Sequence, residues 1–297
     1  MKIRINPAYQ SLTGFIEALP ANFATEGEVI YQGRNVLKRY QVQGVDLVVK
    51  SFKIPFWFNR VAYTFFRKSK ACRSYQYAFE IIKRGCLTPA PIAYLEERVG
   101  GLLNRSYYVS IYEQGTETMR KYMSGTVEGN EEVLAAFTRF TLSLHEKGIY
   151  HIDYSPGNIL MTRNSGYSFS LVDINRLRFC ELSDDQRYRN LERLCVSMEV
   201  SSWIAREYAS LRGTDSEEAE RVVNGYSDRF FDRRIKALVG KNLRKSSGFF
   251  FWPLLKYDTL RWLRLSWGCE FFYSKERELY FAYIETCDLR KVRFKDY

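Results

Sequence analysis

The decapeptide His151-Ile152-Asp153-Tyr154-Ser155-Pro156-Gly157-Asn158-Ile159-Leu160 reads H-x-D-x-x-x-x-N followed by two apolar residues. Twenty positions after Asp153 comes Asp173, in Ser170-Leu171-Val172-Asp173-Ile174, where an apolar, strand-forming run delivers a carboxylate at its end. Upstream, Leu47-Val48-Val49 runs into Lys50, 103 residues before Asp153. Singly these features are ordinary. A lysine at a strand end is usually a solvated surface residue, and an aspartate after apolar residues is usually a turn or a helix cap. In this order, each in its expected setting, Lys, Asp, Asn and Asp point to a phosphotransfer site.

Around these residues the chain divides by character. Residues 28–53 read as strands, with Gln32-Gly33-Arg34-Asn35 as one turn and a break at Gly44. A basic, aromatic segment follows as far as Lys70. Residues 71–84 have helical spacing, with Tyr75, Ala78, Phe79 and Ile82 sharing a face, Gly85 ending the helix and Pro89 beyond it. Strand signals at 92–96 and 106–112 flank Gly100-Gly101, which suits a hairpin turn. After Gly115 helices dominate: 131–147 repeats Val133, Phe137, Phe140 and Leu144 at three and four, and 182–200 is helix-like.

The 297 residues are 46% hydrophobic and 27% charged, ordinary for a globular chain, which excludes a largely disordered one. Lys plus Arg is 45 against 34 Asp plus Glu, a net charge of +11, so the surface favours an anionic partner: phosphate, nucleic acid or an acidic membrane face. Cysteines at 72, 86, 180, 195, 269 and 287 form no C-x-x-C pair, and there are two histidines, so no zinc site is expected. Reduced cysteines in a cytoplasmic protein fit this usage best. The opening Met1-Lys2-Ile3-Arg4 has no apolar segment of a signal peptide, and no apolar run approaches the roughly 20 residues of a spanning helix.

The ordered set of Lys50, Asp153, Asn158 and Asp173 resembles that of the protein-kinase fold. The resemblance implies an α+β, bilobal protein-kinase-like chain: a small β-rich N-terminal lobe with one main helix (1–113) and a larger helical C-terminal lobe (114–297). The chemistry asks for each residue type. An acceptor hydroxyl must be oriented and lose its proton, which suits the carboxylate of Asp153. A nucleoside triphosphate carries Mg²⁺, which prefers oxygen ligands such as Asn158 and Asp173. A cation, Lys50, holds the phosphates. His151 packs and hydrogen-bonds behind such a loop and takes no catalytic role.

Departures from the protein kinases narrow the reading. There is no G-x-G-x-x-G; Tyr31-Gln32-Gly33-Arg34-Asn35 occupies its place. Asp173 is followed by Ile174-Asn175 and not by Phe-Gly, and no Ala-Pro-Glu follows. An activation loop and a peptide platform have little room, which favours a small-molecule or lipid-sugar acceptor. Together with the segment from Glu28 to Lys38, Leu47 to Lys53, Gly85-Cys86-Leu87-Thr88-Pro89-Ala90-Pro91 and Leu144 to Asp153, the chain is similar to the lipopolysaccharide kinase family. That family phosphorylates Kdo or heptose in the lipopolysaccharide inner core, and the likeness covers about residues 25–200.

The family resemblance implies ATP and Mg²⁺ as cofactors and a cytoplasmic site of action. It implies Lys50 on the phosphates, Asp153 as the base, and Asn158 and Asp173 as metal ligands. The acceptor it implies is lipopolysaccharide or a lipid A core precursor. Gly33 and Arg34 either cover the phosphates or form a plain hairpin turn with a surface arginine. Kinases pair the strand lysine with a helix glutamate, but the matching place in this helix is Ser74. Either Glu80, the helix's one acid, serves through a shifted helix, or Lys50 is oriented another way.

Residues 225–297 are basic and aromatic, with Phe249-Phe250-Phe251-Trp252 as the densest cluster. Such a mixture suits docking on an anionic inner-membrane surface or on the acceptor; the other reading makes the aromatics core and the charges a solvated face. Two alternatives to the core-sugar kinase stay open: a kinase for another hydroxyl acceptor, small molecule or protein, and an inactive kinase-like binding module. No nucleic-acid motif is present, and no nucleic-acid partner is expected.

Overall fold

The computed structural model describes residues 1–54 and 56–243. The aromatic cluster from Phe249 onward lies outside the described residues. In chain order the first elements are β1 (Lys2–Ile5), α1 (Thr13–Asn22), β2 (Glu28–Gln32), β3 (Val36–Val42), β4 (Val45–Phe52), α2 (Trp57–Phe65), α3 (Lys70–Lys83), β5 (Pro91–Val99) and β6 (Leu102–Ile111). The middle of the chain holds β7 (Glu117–Thr118), α4 (Arg120–Met123), α5 (Glu131–Glu146), β8 (Ile149–His151), β9 (Ile159–Arg163), β10 (Tyr167–Leu171) and β11 (Leu177–Phe179). Three helices follow: α6 (Asp184–Asn190), α7 (Met198–Arg212) and α8 (Ser216–Leu243). The chain forms two compact units, Met1–Glu117 with Leu160–Phe179, and Thr118–Ile159 with the described chain from Cys180.

In the first unit six antiparallel strands run in the order β1-β5-β6-β4-β3-β2. Two turns set its register. Gln43 (φ 51°) and Gly44 (φ 78°) both take positive φ and bring Val42 opposite Val45. Gly100 (φ 58°) and Gly101 (φ 78°) do the same between Val99 and Leu102. Two-residue turns with positive φ at both positions match the twist of paired strands. Alternation then sorts β4 into two faces. Leu47 and Val49 are fully buried with Leu12, Ile16 and Leu19 on one side of the sheet. Lys50 and Phe52 lie on the other, where Phe52 packs with Ala71, Cys72, Tyr94 and Tyr108.

Three local expectations change. The buried stripe of α3 is Ala71, Cys72, Ser74, Ala78 and Ile81, whereas Phe79 and Ile82 are 41% and 45% exposed. Small side chains let the helix settle closely on β5 and β6, a preference that apolar spacing does not weigh. The basic aromatic segment after Lys53 folds into α2. The helix-like run 182–200 is two helices. Ser183 and Gln186 form a capping box at α6, and Ser197 caps α7 by accepting the Val200 N–H at 3.4 Å. In the second unit α5 packs on α7, and α8 packs on both α6 and α7.

Candidate active site

In the first unit, Lys50 Nζ donates to Asp173 Oδ1 at 2.7 Å. Asp173 follows β10 at φ 53° and ψ 40°, a left-handed conformation that aspartate adopts more readily than most residues. Asn175 Nδ2 donates to the same oxygen at 2.5 Å. The run Gly85 to Pro91 explains why the carboxylate arrives here. Gly85 turns with φ 67° to close α3, and the Cys86 N–H returns to the Ile81 carbonyl at 3.1 Å. Leu87 then lies parallel to Ser170, and its carbonyl accepts the Leu171 N–H at 3.0 Å. Thr88 Oγ1 donates to the Leu171 carbonyl at 2.7 Å, two residues before Asp173. The threonine therefore clamps the strand end that carries the acid.

Positive charge gathers around this acid. Lys70 opens α3, and its ammonium is held below the ordinary lysine range, first by burial and then by Arg176, Arg34 and Arg73, with Asp173 opposing them. Arg73 Nε is buried with no hydrogen-bond partner. Arg34 stands exposed in the β2–β3 turn, beside Gly33, whose N–H donates to the Asn35 carbonyl at 3.0 Å. The Tyr31 side chain lies over Gly33 so closely that a Cβ there would collide with it. Glu80 is placed elsewhere: its carboxylate accepts from Arg84 Nε at 2.8 Å, one turn along the helix. The acid that meets Lys50 is Asp173. Where α3 enters this cluster it brings Lys70, a residue sequence reasoning missed. Its signal was a lysine in the first turn of a helix, where the dipole favours acids.

The second unit holds the H-x-D-x-x-x-x-N loop. The Asp153 N–H donates to His151 Nδ1 at 3.1 Å, and the buried His151 packs behind the loop. Asn190 Nδ2 donates to the His151 carbonyl at 2.8 Å, and Asn190 Oδ1 meets His145 Nε2 at 3.0 Å. His145 Nδ1 lies 2.7 Å from the Tyr208 hydroxyl. Burial pulls the His145 imidazole down to about 4, so the ring is neutral near pH 7. The chain of donors therefore runs from Tyr208 O–H to His145, and from His145 Nε2–H to Asn190. Tyr154 is buried, bonded to Thr141 at 2.8 Å and stacked on Phe137. Asn158 Nδ2 donates to the Asp153 carbonyl at 2.9 Å. The Asp153 carboxylate itself is ion-paired with Arg193 Nη1 at 2.6 Å.

Each unit carries oxygen donors of the kind that hard cations prefer. Among the described residues no three His, Cys, Asp or Glu side chains gather into a metal cluster. In the first unit Asp173 presents carboxylate oxygen, and in the second Asn158 spends its amide nitrogen on the Asp153 carbonyl, which leaves Oδ1 as an acceptor. Mg²⁺ commonly binds in this sparse way, keeping waters and taking phosphate oxygens.

The first unit gathers cations around one acid and the second sets a carboxylate beside an amide oxygen, and the family match makes the class that of a kinase phosphotransferase. The chain belongs to the lipopolysaccharide kinase (Kdo/WaaP) family, whose model matches residues 19–214. A kinase of this family uses ATP, as a rule with a divalent metal. A solved structure described as "WaaP in complex with acyl carrier protein" shares the mixed α/β fold, with a TM-score of 0.52 and 16% identity over 80% of this chain and 99% of the other. No curated protein sequence matches the chain. No helix among the described residues is long and apolar enough to cross a membrane.

Proposed function

We propose that the chain transfers the γ-phosphoryl group of ATP to a sugar hydroxyl, on Kdo or heptose, of the lipopolysaccharide inner core. The observation that carries this reading is the 2.7 Å pairing of Lys50 with Asp173 at the end of β10. It brings a strand lysine onto an acid 123 positions away, the pairing expected of a phosphate-binding cation and a metal-holding carboxylate. Lys50 and Lys70 hold the phosphates, with Arg34 and Gly33 of the β2–β3 turn above them. Asp173 and Asn158 would hold Mg²⁺, which would supply neutralisation of phosphate charge. The acceptor hydroxyl oxygen attacks the γ-phosphorus, its proton passes to the Asp153 carboxylate, and the bond to the β–γ bridging oxygen breaks to release ADP. Glu80, tied to Arg84, stands outside this set. Residues 1–113 serve as the nucleotide lobe and 114–297 as the acceptor lobe of a bilobal kinase. The net charge of +11 favours an anionic acceptor at the inner face of the inner membrane, reached from the cytoplasm.

The test is incubation of the purified protein with ATP, Mg²⁺ and Kdo-lipid A, and in parallel with a heptosylated core, read by mass spectrometry for one added phosphate. Wild type is expected to add it and Asp153→Ala to add none. Phosphate on the heptosylated core alone would move the acceptor to heptose. Neither product, with no rise in melting temperature on adding Mg·ATP, would favour the inactive module.

A further inference from the structure

Beside Asp153 the second unit carries an arrangement that phosphate transfer from ATP does not explain. Arg193, in the turns after α6, holds the Asp153 carboxylate at 2.6 Å and also donates from Nη1 to the Ile152 carbonyl at 3.4 Å. Its Nε is buried with no hydrogen-bond partner, so the fold leaves this guanidinium under-satisfied. Its plane is backed by Phe230 of α8, with the guanidinium carbon 4.9 Å from the ring centre. Two more arginines are organised the same way. Arg189 and Arg229 lie 5.3 and 4.9 Å from the ring of Tyr226, whose hydroxyl is anchored to Asp185. Arg233 follows Arg229 by one turn of α8 and donates to its carbonyl.

The charges of all four arginines reach one carboxylate, Glu192. Burial pushes that group up, and Arg189, Arg233, Arg193 and Arg229 each pull it down. The acids Asp228 and Asp232 sit one position earlier on α8, about 100° round the helix. Guanidinium forks match carboxylate and phosphate geometry, and aromatic backing fixes their planes before a ligand arrives.

We infer that Arg193, with Arg189, Arg229 and Arg233, forms the acceptor's oxyanion subsite, holding a carboxylate or phosphate of the acceptor beside the hydroxyl that Asp153 deprotonates. The inference rests on the kinase reading above and adds acceptor specificity to it: an acidic sugar or a phosphorylated lipid sugar is taken, and a neutral one is not. Two sources can supply the oxyanion, the sugar acid's carboxylate and the lipid A phosphates.

The experiment measures steady-state kinetics and, separately, calorimetric binding of detergent-dispersed Kdo-lipid A. The proteins are wild type, Arg193→Gln, the double variant Arg229→Gln/Arg233→Gln, and Arg221→Gln. Arg221 removes the same charge from the same helix but pairs with Glu218 on an exposed face. Arg193→Gln and the double variant are expected to raise the acceptor KM and Kd tenfold or more, with the KM for ATP unchanged, while Arg221→Gln behaves as wild type. The double variant lies on exposed residues, so it reads the subsite even where Arg193→Gln impairs folding. Repeating the titration with the carboxyl methyl ester and with dephosphorylated lipid A assigns the oxyanion to the modification that weakens binding. The inference is overturned if neither modification weakens binding, if the double variant matches Arg221→Gln, or if the KM for ATP rises instead. Wild type that binds through these arginines without turnover would sink the kinase reading and keep the subsite. Turnover unaffected by them would do the reverse.

Discussion

Lys50 pairs with Asp173 and Lys70 feels the charge of the same acid, and the difference between them is what each residue's backbone setting allows. Lys50 is placed by strand alternation, so its side of the sheet follows from Leu47 and Val49 facing the opposite core. Lys70 is placed by the start of α3, where Ser69 caps the helix by accepting the Cys72 N–H at 3.0 Å. Lys70 is half-buried among cations, a position a helix tolerates when an anion completes it. Replacing Lys70 by Met is expected to raise the KM for ATP about tenfold, the loss of a charge-assisted hydrogen bond. Glu80→Gln is expected to leave that KM unchanged and to cost about 0.3–0.5 kcal/mol of stability, since it breaks an i,i+4 surface pair with Arg84. ATP titrations of initial rate and denaturant unfolding check the two. A KM change in Glu80→Gln matching that of Lys70→Met would return Glu80 to the phosphate site.

At the scale of elements, the segment between α3 and β5 does more than connect them. Gly85 ends the helix, Leu87 and Thr88 pin the end of β10, and Pro91 opens β5. The motif therefore reads as a clamp on Asp173, and its threonine is the working part. Thr88→Val keeps the shape and removes the donor to the Leu171 carbonyl. The expected result is a loss of about 1–3 kcal/mol in unfolding free energy, together with a fall in kcat as Asp173 loosens. Urea unfolding and turnover measured on the same preparation check it. Retained kcat with lowered stability would confine the clamp to a structural part. Elements were legible where punctuation was strong: Gly44, Gly85 and Gly100-Gly101 each bound the strand or helix expected of them. They were less legible where packing ruled. The exposed Phe79 and the buried Ser74 of α3 reverse what hydrophobicity suggests, because the close approach of β5 and β6 selects small side chains.

At the scale of the whole molecule, the buried Tyr208–His145–Asn190–His151 chain links three helices of the second unit to the loop of Asp153. It also makes stability depend on pH. His145 titrates near 6.5 when unfolded and is pulled to about 4 by burial in the fold. Between those values the unfolded chain binds more protons than the folded one, so stability rises with pH. The contribution is whole above about pH 6.5 and is lost as pH falls through about 4, an amount of about 3 kcal/mol. Denaturant melts from pH 7 to pH 4 are expected to show that decline, and His145→Gln to flatten it from a lower starting stability. An unchanged slope in the variant would move the pH dependence to other groups.

The order and spacing of Lys50, Asp153, Asn158 and Asp173 identified the kinase class from the sequence, because phosphoryl transfer needs few side chains and fixes their types. The sheet's strands were equally open to reading, because alternation and positive-φ turns are local properties of the chain. Only the tertiary structure decided which acid meets Lys50, that Glu80 turns to Arg84, and that Lys70 and Arg193 stand beside the two aspartates. Those pairings join residues up to 123 positions apart or lie on helix faces selected by packing. Spacing along one element constrains neither, since the partner's position depends on how the remaining elements fill the space between them.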